Sequence, residues 1–446
     1  MSFKETELGK IPSEWEIKTL EDIANVVGGG TPKTSTMEFW DGDISWITPK
    51  DLSNYQSKYI SKGERSITKA GMNNSSTKLL PKGTILFSSR APIGYVAIAE
   101  KEVCTNQGFK SLVCKDGISY NEFVYYLMKI NSEKLEQIAG GSTFKEVSGK
   151  IVREFKVMTP PIKEQKVIAN ILSSLDKKIE VINQINKTLE AMAQELFKHW
   201  FVDFEFPNEN GEPYKSSGGE MEESEHGMIP KGWEVGKFID YIDTILGGDW
   251  GKESLQGNYN KEVYCLRGAD IPEVRIGRKG NLPKRYILEK NYVNKKLSSG
   301  DLVVEISGGS PNQSTGRITY ITDEMTNKYD ADIVCTNFCR AITLINKNLM
   351  EYFYFYWQQL YEQNIFFQYE NGTTGIKNFD INTFIENFSI VKPQENIIVK
   401  FSEVVGSIIE KIQINGDENI KLSEIRDTLL PKLMSGEVRV PIDEEN

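Results

Sequence analysis

The chain is written twice. Gly9-Lys-Ile-Pro-Ser-Glu-Trp15 returns as Gly227-Met-Ile-Pro-Lys-Gly-Trp233, and Leu80-Pro-Lys-Gly83 returns more loosely as Leu297-Ser-Ser-Gly300. Val103-Cys-Thr-Asn106 returns as Val334-Cys-Thr-Asn337, and Gly141-Ser-Thr as Gly372-Thr-Thr. The spacing between copies drifts along the chain, as expected when surface loops absorb differences in length. A repeat of this kind constrains architecture before any single motif does, because both copies must bury the same pattern. Two diverged modules follow, over 1–160 and 227–393. In each, short β-branched runs (Thr84–Phe87, Tyr95–Ile98, Leu302–Ile306) lie between Gly, Pro, Ser and Asn and read as strands. Each module then carries an apolar helical segment, Tyr120–Ile138 or Asn348–Phe366. The fold class is α+β. The run Tyr352-Phe-Tyr-Phe-Tyr-Trp357 reads as a buried helix packed on a sheet in preference to a base-stacking surface.

A second pattern follows each module. Ile168, Leu172, Leu175, Ile179, Ile182, Asn186, Leu189, Ala193 and Leu196 recur at alternating steps of four and three, the a/d seam of a coiled coil. Phe401, Val405, Ile408, Ile412, Asn415, Asn419, Leu422, Arg426, Leu429 and Leu433 repeat that register. At about 1.5 Å per residue, each segment spans roughly 60 Å as a helix. The economical arrangement runs the second helix back along the first, giving two antiparallel helices with an approximate two-fold relation. Asn186 and Asn419 occupy seam positions, where polar residues set register, and full overlap predicts no bond between the two. Asn415-Gly416-Asp417 is turn-like and predicts a kink. Two long core helices inside one large domain remain the alternative. The segments are 1–160, a helix over 161–201, an acidic linker over 202–226, 227–393, a helix over 394–436 and a tail over 437–446.

Charge and composition narrow the function. The net charge is −10, but residues 200–225 hold eight acidic side chains against one basic. Most of the rest of the excess lies in 394–446, so both modules are near neutral and a local basic face remains compatible with phosphate. Two histidines, His199 and His226, leave little material for a hydrolytic triad or a zinc hydrolase. Five cysteines form no C-x-x-C pair, and Cys335-x-x-x-Cys339 has no second ligand pair nearby. No apolar run is long enough to span a bilayer and the start carries no secretory pattern, so a cytoplasmic location and no membrane partner are expected.

Further stretches carry a resemblance. They are Phe87-Ser-Ser-Arg-Ala-Pro-Ile-Gly-Tyr95, Gln194-Glu-Leu-Phe-Lys-His-Trp-Phe-Val-Asp-Phe204, Gly211-Glu-Pro-Tyr-Lys-Ser-Ser-Gly-Gly219 and Leu422-Ser-Glu-Ile-Arg-Asp-Thr-Leu-Leu-Pro-Lys-Leu-Met-Ser-Gly436. In this order, with the repeat and the helices, the chain resembles the specificity subunits of type I restriction–modification systems over essentially its whole length. The resemblance implies two target-recognition domains, each reading half of a split double-stranded DNA sequence, with the helices as a coiled-coil spacer that sets the gap and docks two methyltransferase subunits. It also implies restriction subunits as partners, with S-adenosylmethionine, ATP and magnesium bound by partners and no cofactor bound by this chain. One departure stands out. The second module lacks the Phe-Ser-Ser-Arg-Ala-Pro stretch and has Ile306-Ser-Gly-Gly-Ser-Pro-Asn-Gln-Ser-Thr-Gly316 in its place, so the halves are expected to read different sequences.

Glycine-rich turns with basic residues are the DNA-binding candidates, since they let backbone approach phosphate while a cation supplies charge. In the first module these are Thr31 and Lys33 of Gly28-Gly-Gly-Thr-Pro-Lys33, Arg90, Lys110, and Thr143 and Lys145 of Gly140-Gly-Ser-Thr-Phe-Lys145. In the second they are Arg275, Arg278, Lys279, Lys284, Arg285, Arg317 and Lys377. Each is equally compatible with a solvated loop, so the clusters carry the expectation. Catalytic motifs are missing. Thr159-Pro-Pro-Ile162 lacks the acid or amide and the aromatic residue of an amino-methyltransferase, and no G-x-x-x-x-G-K-[ST] loop occurs. Asp176-Lys-Lys178 has nuclease-like spacing but lies on the spacer helix. A recognition subunit without catalysis is expected; a structural coiled-coil adaptor and a self-contained DNA-modifying enzyme are the alternatives.

Overall fold

The computed structural model describes residues 2–441 apart from 54, 56, 91, 141–144, 309, 311, 312 and 373–375. The chain forms two compact units, one from residues 1–180 with 422–446 and the other from 181–421. Each takes one module together with part of both long helices.

The first unit is built on a five-stranded sheet. Its strands are β1 (Ala24–Gly28), β2 (Tyr59–Ile60), β3 (Ile85–Ser89), β4 (Ile93–Ala99) and β5 (Lys110–Cys114), in the order β1-β5-β3-β4-β2. Helix α1 (Asn121–Gln137) covers this sheet with Phe123, Val124, Tyr126 and Leu127. A smaller sheet joins Trp40–Ile47 to Cys104–Thr105 and Arg65–Ile67. The long helix α2 is Ile162–Phe201, 40 residues.

The second unit repeats the plan. Strands β6 (Ile242–Gly247), β7 (Leu302–Glu305), β9 (Ile318–Tyr320) and β10 (Cys339–Leu344) form a sheet in the order β6-β10-β7-β9. A short ribbon joins β8 (Ser307–Gly308), β11 (Glu370–Asn371) and β12 (Lys377–Phe379). Helix α3 (Met350–Glu362) buries Tyr352, Phe353, Tyr354, Phe355 and Trp357, and Trp357 Nε1 donates to the Gly316 carbonyl at 2.7 Å. The aromatic run is interior. Its rings pack with Phe197, Phe201, Phe238 and Phe401, a core whose offset and edge-on contacts favour one arrangement. The second long helix, α4, is Glu395–Ser435, 41 residues.

The two copies of Gly-x-Ile-Pro-x-x-Trp fold alike. Phe3–Thr6 pairs with Gly9–Pro12, and Met221–Ser224 with Gly227–Pro230, in the same register. Gly9 and Gly227 hold φ of +103° and +85°, which side-chain-bearing residues avoid. Both tryptophans end in cores: Trp15 donates to Glu164 at 2.9 Å, and Trp233 stacks on Phe206.

In each unit the long helices run antiparallel. In the second unit Asn415 donates to Asn186 at 2.7 Å and Asn419 donates to Asn183 at 2.9 Å, one helix advancing as the other retreats. Asn186 and Asn419 do not bond each other; each takes an asparagine of the opposite helix. In the first unit Arg426 pairs with Asp176 at 2.9 Å, while Leu172 and Leu433 share the core with α1. Of the seam residues, Ile182, Asn186, Ile412 and Asn419 are buried, whereas Leu175, Ile179, Leu189, Ile408, Leu422 and Leu429 are half-buried. Two helices cover only one side of a seam, and deeper burial comes where a module packs on them as well.

The expected kink is absent. α4 continues through Asn415-Gly416-Asp417, and the glycine answers to packing. A Cβ on Gly416 would lie 2.0 Å from the Gly277 carbonyl oxygen. Around that approach Asn186 donates to the Ile276 carbonyl at 3.1 Å, and Lys328 donates to Gly277 at 2.7 Å and to Gln413 at 3.0 Å.

Candidate nucleic-acid interface

Antiparallel pairing brings the C-terminal ends of β1 and β3 and the N-terminal ends of β4 and β5 to one end of the first sheet. Gly28 lies opposite Lys110, and Ser89 opposite Ile93. Thr31, Arg90, Lys110 and Lys145 collect there. The Thr31 hydroxyl donates to Gln107. Lys110 reaches Glu146 at 3.1 Å, and Arg90 lies 3.8 Å from the same carboxylate. Lys33 and Lys145 are exposed, and Thr143 lies outside the described residues.

Within the glycine-rich turn, two of the glycines are packed closely against neighbouring segments of their own unit. A Cβ on Gly29 would sit 2.0 Å from the Asn106 carbonyl, and one on Gly30 would sit 2.3 Å from Ser76 Oγ. Gly29 and Gly30 admit close approach of the protein's own backbone, while the space around Gly28 is open.

The corresponding end of the second sheet matches residue by residue. Gly247 lies opposite Arg340, as Gly28 lies opposite Lys110. The Ile306 amide bonds the Phe338 carbonyl at 2.8 Å, as Ser89 bonds Gly108 at 2.7 Å. The Phe379 amide bonds Ile306 at 2.8 Å, as Val147 bonds Ser89 at 2.9 Å. Arg340 therefore takes the place of Lys110, Lys377 that of Lys145, Asn378 that of Glu146 and Phe338 that of Gly108. On the adjoining turn, the Asp249 amide bonds Cys335 at 2.8 Å as Gly30 bonds Thr105 at 2.9 Å, so Trp250 matches Thr31.

This register corrects the repeat read from the chain. Thr336 bonds Leu266 at 3.0 Å as Asn106 bonds Ile47 at 3.0 Å, so Asn106 matches Thr336 and not Asn337. The four-letter similarity Val-Cys-Thr-Asn is one residue out of step, because parallel pairing with the neighbouring strand sets the alignment. The slip concealed Arg340. The detectable signal was the continuous match of Ile44–Leu52 with Val263–Ile271, in which Asp51 and Asp270 each cap a short helical turn through a backbone amide.

The basic residues of the second unit differ in availability. Arg317 grips Glu305 bidentately at 2.8 and 2.6 Å, and this hydrogen-bonded carboxylate pushes the Arg317 pKa up. Arg275 pairs with Glu190 at 2.8 Å; burial raises the Glu190 pKa, against the pull of that guanidinium. Arg278 holds Glu273 at 2.9 Å. Arg285 pairs with Glu253 at 3.0 Å while lying 3.9 Å from the Trp250 ring centre. Lys284 bridges Asp330 and Glu262, whose hydrogen bonds raise its pKa. Lys377 meets Glu370 at 2.9 Å, and Lys279 is exposed beside the Tyr329 ring. Arg340 donates only to the carbonyls of Asn337 and Cys339, and among the described residues it pairs with no carboxylate. Of the residues chosen from the chain, the structure brings Arg317 and Lys377 to this sheet end, with Arg285 against Trp250 on the adjoining turn. Arg275 and Arg278 sit instead beside the long helices, close to Glu190 and Gly277.

The nuclease-like spacing is occupied by other work. Asp176 accepts from Arg426 at 2.9 Å and from Tyr126 at 2.5 Å. No helix among the described residues is long and apolar enough to cross a membrane.

Comparison with known proteins places this architecture. Residues 12–191 match the family model described as the type I restriction modification DNA specificity domain. The MjaIX specificity subunit of Methanocaldococcus jannaschii is 39% identical, the alignment covering 98% of this chain and 96% of that one. The HindI specificity subunit of Haemophilus influenzae is 25% identical over 96% of this chain and 100% of its own length. A crystal structure of the S subunit of a type I restriction–modification system from M. genitalium shares the fold, with a TM-score of 0.54 at 17% identity, covering 95% of this chain and 96% of that one. Repeated module, paired long helices and full-length similarity agree: the chain belongs to the specificity subunits of type I restriction–modification systems.

Proposed function

We propose that this chain supplies the address for a DNA-modifying complex and performs no chemistry itself. Each unit would read one part of a two-part double-stranded sequence through the sheet end that carries Lys110 and Lys145 or Arg340 and Lys377. Phosphate contacts from such cations fix the position of a protein on the duplex, while base edges supply sequence information. The antiparallel helices would set the spacing between the two readers and dock two methyltransferase subunits. Those partners would hold S-adenosylmethionine, and restriction subunits would hold ATP and magnesium. Extruding the target base is then a task for the methyltransferase.

The supporting observation is the duplicated sheet end, which puts basic side chains at the same register positions in both units despite low sequence similarity. Methylation mapping of DNA from cells producing this chain with its methyltransferase subunits tests the reading. The expected result is one two-part motif with a fixed gap, lost when this chain is omitted. Methyl transfer to DNA by the purified chain alone, or an unchanged motif without it, overturns the proposal.

A further inference from the structure

The two reading ends keep their cations and exchange nearly everything between them. In the first unit, the turn after β1 and the turn before β5 meet through a polar pair, Thr31 and Gln107. In the second unit the matching turns carry Trp250 and Phe338, 36% and 60% exposed, and Ile376 beside Lys377 is 62% exposed. Single exposed apolar residues are ordinary on protein surfaces. These three are set apart by position: Phe338 and Ile376 directly precede the strands that carry Arg340 and Lys377, and Trp250 lies on the turn after β6, whose last residue faces Arg340. The Phe338 carbonyl accepts from the amides of Ile306 and Ser307 at 2.8 and 3.3 Å. Gly248, just before the Trp250 turn, packs so closely that a Cβ would lie 2.1 Å from the Cys335 carbonyl. Arg285 lies against one side of the indole, which orients the ring.

At the Phe338 position the first unit has Gly108, where a Cβ would lie 2.9 Å from Asn106 Oδ1 and from Pro49 Cγ. That unit cannot present a side chain from this point. The second unit does, and the one it presents is apolar. In the major groove the apolar feature that distinguishes base pairs is the thymine C5-methyl group.

Resting on the reading proposed above, we infer that the second unit selects thymine in its half of the target by packing the Phe338 ring, with Trp250 and Ile376 beside it, against the C5-methyl group. The first unit, with Thr31 and Gln107, reads its half by hydrogen bonds. Selection of thymine then depends on burying a methyl group, and deoxyuridine, which pairs identically but lacks that group, is the probe.

The test uses this chain assembled with its methyltransferase subunits, on duplexes of the mapped target with deoxyuridine replacing thymidine one position at a time. Binding is measured to the native complex and to complexes carrying Phe338→Ala or Trp250→Ala. The expected result is a loss of about three- to fivefold at one or more positions of a single half-site, as for one buried methyl group. That loss should vanish in Phe338→Ala, which binds the thymidine and deoxyuridine duplexes equally. A half-site pair without any such position, or a deoxyuridine penalty unchanged in both variants, overturns the inference while leaving the recognition role intact. Failure of the native complex to methylate the thymidine duplex counts against the recognition role itself. Phe338 is exposed, so its removal leaves the core untouched, and unchanged thermal unfolding of the variant confirms that the comparison is fair.

Discussion

The two sheet ends share a backbone and divide their chemistry. Lys110 and Arg340, and Lys145 and Lys377, stand at equivalent register positions. Between them, Ser88 of the first unit, which accepts the Tyr95 amide at 2.8 Å, is replaced by Glu305, which grips Arg317. Thr31 is replaced by Trp250 and Gly108 by Phe338. The lesson is a separation of duties. Lys110 and Arg340, opposite equivalent glycines, keep a cation, whereas the neighbouring positions change together with their local partners, as Ser88 and Tyr95 become Glu305 and Arg317. Loops on a rigid scaffold can change specificity at small cost to folding.

The strongest way to break this comparison is to move one unit relative to the other along the helices. Inserting seven residues after Glu180 and seven after Lys421 keeps the seam in phase and adds about 10 Å of helix, roughly three base pairs of duplex. Methylation of the native target should fall at least ~100-fold and reappear on targets with a longer gap. Unchanged gap preference in sequencing-based mapping would show that the helices do not act as the ruler.

Next in size is the pair that separates the two sheet ends. Arg317→Tyr installs the first unit's residue and leaves Glu305, almost fully buried, without its cation. Loss of one partner of a buried pair costs about 3 kcal/mol or more, read as a drop in denaturation midpoint. Adding Glu305→Ser, which completes the Ser88 and Tyr95 arrangement, should recover most of that loss. If the double variant is no more stable than the single one, the two ends are not interchangeable solutions.

Smaller effects test Lys145 and Lys377 as the proposed phosphate contacts. Lys145→Ala and Lys377→Ala should each weaken binding by about three- to tenfold on any sequence and lower the salt slope by about one. A change in sequence preference in either variant would mark that lysine as a base reader.

The least of the four concerns pH and the first unit alone. Glu122 sits below the ordinary glutamate range: burial opposes its ionisation, but hydrogen bonds from Ser173 and Tyr59 and the Lys58 ammonium outweigh it. A lowered carboxyl pKa contributes stability that is complete above the unfolded value of about 4.3 and is lost as pH falls through the lowered folded value. Glu122→Gln should therefore be less stable at neutral pH and flatter between about pH 4.5 and that lower value. Parallel curves for the two proteins in chemical denaturation would contradict this. In the second unit the corresponding ties are Glu190 of α2, which accepts from Tyr354 of α3 at 3.5 Å, and the contacts of Asn186, Lys328 and Gly416.

Much of the fold was legible in the chain. The Gly-x-Ile-Pro-x-x-Trp copies, the heptad seams and the interior aromatic run all express local or periodic patterns that hydrophobic burial enforces wherever they occur. The turn-like triplet at Asn415-Gly416-Asp417 was misleading, because a glycine that stops an isolated helix can also admit a neighbouring backbone. The candidate site was less legible. Lysine and arginine look alike in a sequence whether they face solvent, as Lys145 does, or are committed to a carboxylate, as Arg317 is.

Sequence alone determined that there are two copies of one module and two long helices to connect them, since repetition and periodicity are properties of residues near one another along the chain. Tertiary structure decided the one-residue register that aligns Lys110 with Arg340, the partners that occupy most arginines, and the turns that expose Phe338 and Trp250. Those outcomes depend on strands far apart in sequence, whose pairing is set by the summed burial and hydrogen bonding of the whole sheet, and no short stretch of residues encodes that sum.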